Sequence, residues 1–180
     1  MADGEEILDI YDGERKMLGY TKRRGEPLND GEFIVAVGIW IVDGNGKLLI
    51  TKRSMQKRYA PGKWENTGGH LKHGEEPVAA VIRELYEETG IKVAREDVRF
   101  LGTSKAAPFF GDNFIAFVND TSGIKLQPGE TSDARWVSLN ELEQMMQSGD
   151  MALSTVEHMK SYKDAFYAAI ADITRGNIGG

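Results

Sequence analysis

The sequence predicts one α/β domain: a mixed sheet with helices on one or both faces, and a β-hairpin added at its N-terminal end. Three observations predict it. Runs rich in β-branched and aromatic residues alternate with capped helical segments. Glycine is abundant, 21 of 180 residues, against a usual ~7%, which implies many tight loops. Finally, 180 residues without a repeat or a Pro/Gly/Ser-rich linker form one unit, about the length of a single domain that buries roughly 70% of its unfolded surface.

The elements follow in order. EILDIYD and MLGYTKR read as two strands around a turn at Gly13, a hairpin extension within residues 1–30. Phe33 to Val42 is a rich β run; DGNG at Asp43 to Gly46 is a hairpin signal, and Lys47 to Lys52 returns as the partner. Arg53 to Lys63 is a loop containing Pro61-Gly62. Pro77 to Thr89 is a helix, with proline at its first position and Gly90 just past its end. Strands follow near Val98 to Leu101, Asn113 to Val118 and Ala134 to Val137. Ser138 with Glu141 and Ser154 with Glu157 are two capping boxes, the first opening a short helix to Gly149 and the second a longer one. In that last helix Val156, Met159, Phe166, Ile170 and Ile173 recur at helical spacing and should pack on the sheet. Gly179-Gly180 reads as a frayed terminus.

Composition excludes several function classes. There is no cysteine, hence no disulfide scaffold, thiolate zinc site or cysteine nucleophile. His70, His73 and His158 are too scattered for a three-histidine zinc site. With 22 basic and 28 acidic side chains the chain carries a net charge of −6, which disfavours a nucleic-acid polymer as partner. The longest apolar run, Phe33 to Val42, is ten residues, about half a membrane span. The start, MADGEEILDI, is acidic and unlike a signal peptide. The expectation is a soluble cytoplasmic protein.

The chemistry concentrates in the first helix. Glu84, Glu87 and Glu88 stand at i, i+3 and i+4, spanning about 100° of one face. Val78, Ile82, Leu85 and Thr89 fall on the other side, where the core is expected. Such like-charged pairs cost a helix about a few tenths of a kcal/mol each, a cost that a bound cation would offset. Hard divalent cations take oxygen ligands, and magnesium favours a few carboxylates, waters and substrate phosphates. Upstream, Thr67-Gly68-Gly69 ends a strand whose glycines let the backbone approach a ligand. A solvated helix face is the plain alternative for the glutamates alone.

Residues 69–91, GHLKHGEEPVAAVIRELYEETGI, resemble the Nudix box: Gly, five residues, Glu, seven residues, then Arg-Glu-apolar-x-Glu-Glu-x-Gly-apolar. Gly69, Glu75, Arg83, Glu84, Leu85, Glu87, Glu88, Gly90 and Ile91 fill every fixed position. The resemblance implies the Nudix α/β/α sandwich and a Mg²⁺- or Mn²⁺-dependent hydrolase of a nucleoside diphosphate linked to another moiety. It also implies Glu84, Glu87 and Glu88 as metal ligands or water-orienting groups, the Gly69 carbonyl as a further ligand, and Glu75 and Arg83 as residues that fix the loop and carboxylates. A weaker resemblance, over most of the chain, is to the isopentenyl-diphosphate-isomerase-like branch of that superfamily. Isomerases carry a cysteine within the stretch that reads Thr67-Gly68-Gly69-His70 here. An isomerase-like diphosphate enzyme and a non-catalytic nucleotide-binding module are the alternatives.

Smaller signals surround the box. Lys52, Arg53, Lys57, Arg58 and Lys63 put cations near the glycine loop; Arg53 and Lys57 are candidate clamps for substrate phosphates. Phe109 and Phe110 are candidates to stack on a base. Trp40, Trp64 and Trp136 read as core or rim. Glu130 matches a downstream acidic position in many Nudix proteins that assists as base or ligand, with Asp133 as its competitor. The expected partner is a small phosphoanhydride substrate, and the hairpin offers a surface for a homodimer.

Overall fold

A computed structural model describes residues 6–178; the terminal Gly179-Gly180 lies outside the described residues. Strands β1 (Ile7–Tyr11) and β2 (Met17–Arg23) form the expected antiparallel hairpin. The main sheet contains β3 (Ile34–Asp43), β4 (Leu48–Arg53), β5 (Trp64–Glu65), β6 (Thr67–His70), β7 (Arg99–Ala106), β8 (Phe109–Val118) and β9 (Thr131–Val137). Its order is β5-β4-β3-β8-β7, with β6 also on β3 and β9 also on β4. β3 is the spine. It runs parallel to β8 along its whole length, meets β4 only near their turn, and then pairs antiparallel with β6. The mixed sheet predicted from sequence is present.

The turn between β3 and β4 forms where DGNG stands: the Asp43 carboxylate accepts from the backbone N–H groups of Asn45 and Lys47. Along β3, side chains alternate between two cores. Val35, Val37, Ile39 and Ile41 face α1 (Pro77–Thr89), with Leu85, Val81 and Phe114. Trp40 and Val42 face α2 (Leu139–Ser148), α3 (Leu153–Met159) and α4 (Lys163–Ile178), with Leu142, Met159, Phe166 and Ile170. Helices therefore cover both faces, an α/β/α sandwich. Among the described residues, no helix is long and apolar enough to cross a membrane.

Helix α1 has the bounds its sequence implies, closing on Gly90 at φ 75° with the Gly90 N–H donating to the Tyr86 carbonyl. Helix α2 carries the full capping box of Ser138 and Glu141. The second capping box does not form. Ala152 caps α3 without a side-chain bond, because its N–H is held by the Trp64 carbonyl and this fixes the helix start ahead of Ser154. The Ser154 N–H donates instead to the Tyr59 hydroxyl, and Glu157 pairs with Lys160. The expected single long helix is two, broken at 160–162, where buried Tyr162 accepts a bond from the Trp40 indole. β7, β8 and β9 start or end several residues beyond their apolar runs. Backbone pairing carries them through polar and glycine positions such as Asp112 and Gly111.

The hairpin docks on the main domain through Leu8 and Ile10, which pack with Ile34, Leu28 and Phe109. Polar ties fix it to the loop before α1 and to β8. Asp9 meets His73 Nδ1 at 2.7 Å and accepts from the Gly74 N–H at 2.9 Å, and Arg15 pairs with buried Asp112.

Candidate active site

Two of the three helix glutamates are buried, not solvated: Glu84 and Glu88 are each 8% exposed. The core does lie on the side of Val78, Ile82, Leu85 and Thr89, and the two glutamates are drawn in at its edge. Leu85 points at the sheet, and at 100° per residue Glu88 lies only about 60° from it and Glu84 about 100°. Both carboxylates are thus carried in along the edge of the apolar stripe, while Glu87 stays at the outer edge. The sheet makes room for them with glycine. A Cβ at Gly69 would sit 2.2 Å from the Glu84 carboxyl carbon and 2.3 and 2.5 Å from its oxygens. The Gly69 backbone and the Glu84 carboxylate are in direct contact.

Arg83 fixes this arrangement. Its Nε and Nη2 donate to the two oxygens of Glu75, each at 2.9 Å, and Nη2 also donates to the His70 carbonyl. Nη1 donates to Glu84 at 2.7 Å and to Glu87 at 3.3 Å. Burial pulls the guanidinium pKa down, but the bonds and charges of Glu75 and Glu84 outweigh it and hold it well above its usual value. Burial pushes Glu75 up, yet the Arg83 bonds leave it below the ordinary carboxylate range. One arginine therefore ties the loop before the helix to two of the helix carboxylates.

Glu88 is held differently. Among the described residues, no donor lies within hydrogen-bond reach of its carboxylate. Burial pushes its pKa well above the ordinary range, and the charges of Glu65, Glu84 and Glu130 add to the rise while Lys57 opposes it. Burial also raises Glu84, against Arg83. The structure thereby brings Glu130 to the cluster, from the loop just before β9. Its competitor Asp133 is exposed and accepts from the Ala134 N–H.

Glu65 was not anticipated. It lies on β5, where burial raises its pKa against the nearby Arg53. The signal was in the alternation: residues 65, 67 and 69 project to one face, so Glu65 shares the Gly69 side. Arg53, expected as a phosphate clamp, is engaged by that residue. Its Nη1 bonds both Glu65 oxygens at 2.8 and 2.9 Å, its Nε donates to the Tyr59 carbonyl, and it lies over the Tyr59 ring. Lys57 forms an ion pair with Glu130. Phe110 is buried against Phe33, with ring centroids 5.1 Å apart, and has no face left for a base. Phe109 is half-buried beside His70. Trp40, Trp64 and Trp136 all pack against the cores.

The donor set is all oxygen and suits a hard divalent cation. Buried, unpartnered Glu88 and the Gly69 cradle beside Glu84 fit such an ion. As the side chains stand, no three carboxylates or imidazoles among the described residues form a finished metal cage. Arg83 occupies Glu84 and Glu87, Arg53 occupies Glu65, and Lys57 occupies Glu130.

A family model described as the NUDIX domain matches residues 32–155, from the start of β3 into α3. The chain belongs to the Nudix family. An uncharacterized Nudix hydrolase of Listeria monocytogenes is 33% identical, covering 81% of this chain and 87% of that protein. The isopentenyl-diphosphate Delta-isomerase of Citrobacter koseri is 26% identical, covering 84% of this chain and 87% of that one. The isomerase-like likeness is therefore real, in a chain that has no cysteine. Among solved structures, DR0079 from Deinococcus radiodurans superposes with a TM-score of 0.68 at 21% identity, covering 82% of this chain and 92% of that one. The NUDIX domain of Shewanella oneidensis NrtR, solved with ADP-ribose, gives 0.57 at 20% identity, covering 69% and 82%. These likenesses confirm the Nudix sandwich. This Nudix protein is an enzyme, a pyrophosphohydrolase of the class that acts on nucleoside-diphosphate-linked compounds in general.

Proposed function

We propose that this Nudix enzyme uses Mg²⁺ or Mn²⁺ to hydrolyse the phosphoanhydride bond of a nucleoside diphosphate linked to another moiety. The observation that carries the reading is Glu88: a buried carboxylate without a donor, facing three further carboxylates, is costly unless a cation completes it. Glu84, Glu88 and the Gly69 carbonyl are the inner ligands in this reading, with Glu87 joining from the exposed edge. A bound divalent cation would neutralise charge on the diphosphate and make a coordinated water more acidic. Glu130, beside Glu88, positions or deprotonates the attacking water. Glu75 and Arg83 hold Glu84 and Glu87 in place. Glu65 adds negative charge to the same space and, through Arg53, anchors the loop that follows β4.

On the substrate side, Lys57 is the better candidate for a phosphate contact, since Arg53 is tied through Nε and Nη1 to the Tyr59 carbonyl and Glu65 while the Lys57 ammonium has a single partner. Phe109 keeps a half-exposed ring near the glycine strand and is the candidate for stacking. NrtR was solved with ADP-ribose, which supports a nucleoside diphosphate with a second group attached. In this reading the protein acts on a small molecule in the cytoplasm, with the N-terminal hairpin as the surface for a homodimer.

Isomerisation of isopentenyl diphosphate is the second reading, favoured by the isomerase relatives. It needs an acid beside a carbon–carbon double bond. Thr67, Gly68 and Gly69 stand where isomerases place the cysteine, and a threonine hydroxyl is far too weak an acid for that step. Both readings are tested together. The protein is incubated with Mg²⁺ or Mn²⁺ and a panel of nucleoside diphosphate compounds, and phosphate is assayed after a phosphatase is added. Proton NMR follows isopentenyl diphosphate in parallel. Phosphate release that chelator abolishes is expected. Dimethylallyl diphosphate formed at an enzymatic rate, without hydrolysis of any panel member, would overturn the reading.

A further inference from the structure

The three cations in the site are held with very different firmness. Arg83 is fixed by Glu75, Glu84, Glu87 and the His70 carbonyl. Arg53 is fixed by Glu65, the Tyr59 carbonyl and the Tyr59 ring. The Lys57 ammonium has one hydrogen-bond partner among the described residues, the Glu130 carboxylate. Both groups of that pair are largely out of solvent, with side chains 15% and 27% exposed. A lysine on a flexible stem that makes a single contact is the one cation here that can leave without dismantling anything else.

The backbone around it is secured independently of that contact. The Ser54 N–H donates to the Glu130 carbonyl at 2.9 Å, and the Lys57 N–H donates to the Ser54 carbonyl at 3.2 Å. At the loop's base, the Arg53 N–H donates to Lys63 and the Gly62 N–H to Arg53. If the Lys57–Glu130 pair opens, the ammonium swings while the backbone of Lys57 stays beside the site.

Charge decides which way it swings. The carboxylates of Glu65, Glu84 and Glu130 act together on Glu88, and Lys57 acts against them. A divalent cation bound beside Glu130 would repel the Lys57 ammonium, whose one contact is that carboxylate. The nearest new negative charge is then the substrate's diphosphate.

We propose that Lys57 is a displaceable internal counter-ion: it holds Glu130 until a divalent cation bound beside that carboxylate drives it off, and then turns to the phosphates of the substrate. This rests on the metal-dependent reading above. It makes cation and substrate binding cooperative, because the cation frees the lysine that the substrate needs.

The test is the affinity for Mn²⁺ alone, read from the electron paramagnetic resonance signal of free Mn²⁺ at fixed ionic strength. Lys57→Met keeps the stem and removes the charge. It should bind Mn²⁺ about three- to tenfold more tightly than wild type, the worth of no longer having to break a partly buried ion pair. Its KM for the best panel substrate should rise. Lys63→Met, which removes the same charge from a lysine that donates to the Gly149 carbonyl, should leave Mn²⁺ affinity near wild type. Lys57→Gln serves as the second variant if the methionine form does not fold. A folded Lys57 variant with unchanged or weaker Mn²⁺ affinity would overturn the counter-ion role while leaving the metal-dependent reading intact. A wild-type protein that binds no Mn²⁺ would overturn both.

Discussion

Gly69→Ala probes the contact on which the site is built. The substitution adds one methyl group, whose carbon would lie 2.2 Å from the Glu84 carboxyl carbon. Carbon atoms settle near about 3.5 Å apart, so one side must retreat by roughly 1 Å. Gly69 does not have a left-handed φ, so the clash alone carries the effect. Overpacking costs about 1–3 kcal/mol. The lower unfolded-state entropy of alanine returns about 0.4–1 kcal/mol, so a net loss of about 1–2 kcal/mol is expected. The effect on turnover is larger. A displacement of about 1 Å in a positioned group can cost ~10²-fold in rate, and Glu84 cannot retreat without straining its bond to Arg83.

Urea unfolding and kcat/KM, measured on the same preparation, separate these two effects. Gly69→Ala should stay folded and lose about two orders of magnitude of activity. Gly68→Ala is the contrast. Its added carbon would meet the Val37 carbonyl oxygen at 2.2 Å and Gly38 Cα at 3.0 Å. Both are backbone atoms of β3, and no side chain can rotate away, so the main loss should be stability, from forcing β6 off β3. If Gly69→Ala retains half of the wild-type kcat/KM, Glu84 does not need its observed position and the reasoning about the cradle fails.

Further outcomes follow from the electrostatics. Glu88→Gln removes a charge that burial disfavours, so the variant should be more stable at pH 7 while its activity falls by orders of magnitude; thermal melting and turnover check the two signs together. Because the folded pKa of Glu88 is raised, the wild type binds more protons folded than unfolded, and its stability from this group falls as pH rises above about 4.5. The difference from Glu88→Gln should grow accordingly. Glu32 has the opposite sign. Hydrogen bonds from Lys22, Tyr20 and the Asn29 N–H hold its pKa at about 2, below the ordinary 4.5. Its stabilisation is present above the unfolded value and lost as pH falls from about 4.5 toward about 2. Urea midpoints of wild type and Glu32→Gln should therefore differ at pH 6 and converge near pH 2.

Much of the frame was legible because it is set by local chemistry. Pro77 and Gly90 bound α1, Ser138 and Glu141 cap α2, and DGNG turns β3 into β4, each through a bond within a few residues. What escaped was decided by residues far apart in the chain. The start of α3 is set by Trp64, nearly ninety residues earlier, through the bond from Ala152. The extra length of β7 and β8 comes from their pairing with each other across polar positions. Phe110 looks like a platform in sequence, but Phe33 closes over it. Arg53 looks like a free fork until Glu65, on a strand too short to stand out, is found beside it.

The buried glutamates carry the most information. Periodicity puts charged residues in solvent, and that rule held for Glu87 and failed for Glu84 and Glu88. Local rules give way where function imposes another demand. Here the demand can be read from the neighbours: Gly69 gives up its side chain to admit Glu84, Arg83 gathers Glu75 and Glu87 around the same helix turn, and Glu65 and Glu130 approach Glu88 although each raises its cost of ionisation. Charge repulsion of this kind destabilises the fold with no structural return, since the core beneath is already closed by Leu85 and Val81. In the metal-dependent reading a divalent cation compensates it, and Lys57 is the weakest of the side chains that stand in for that ion.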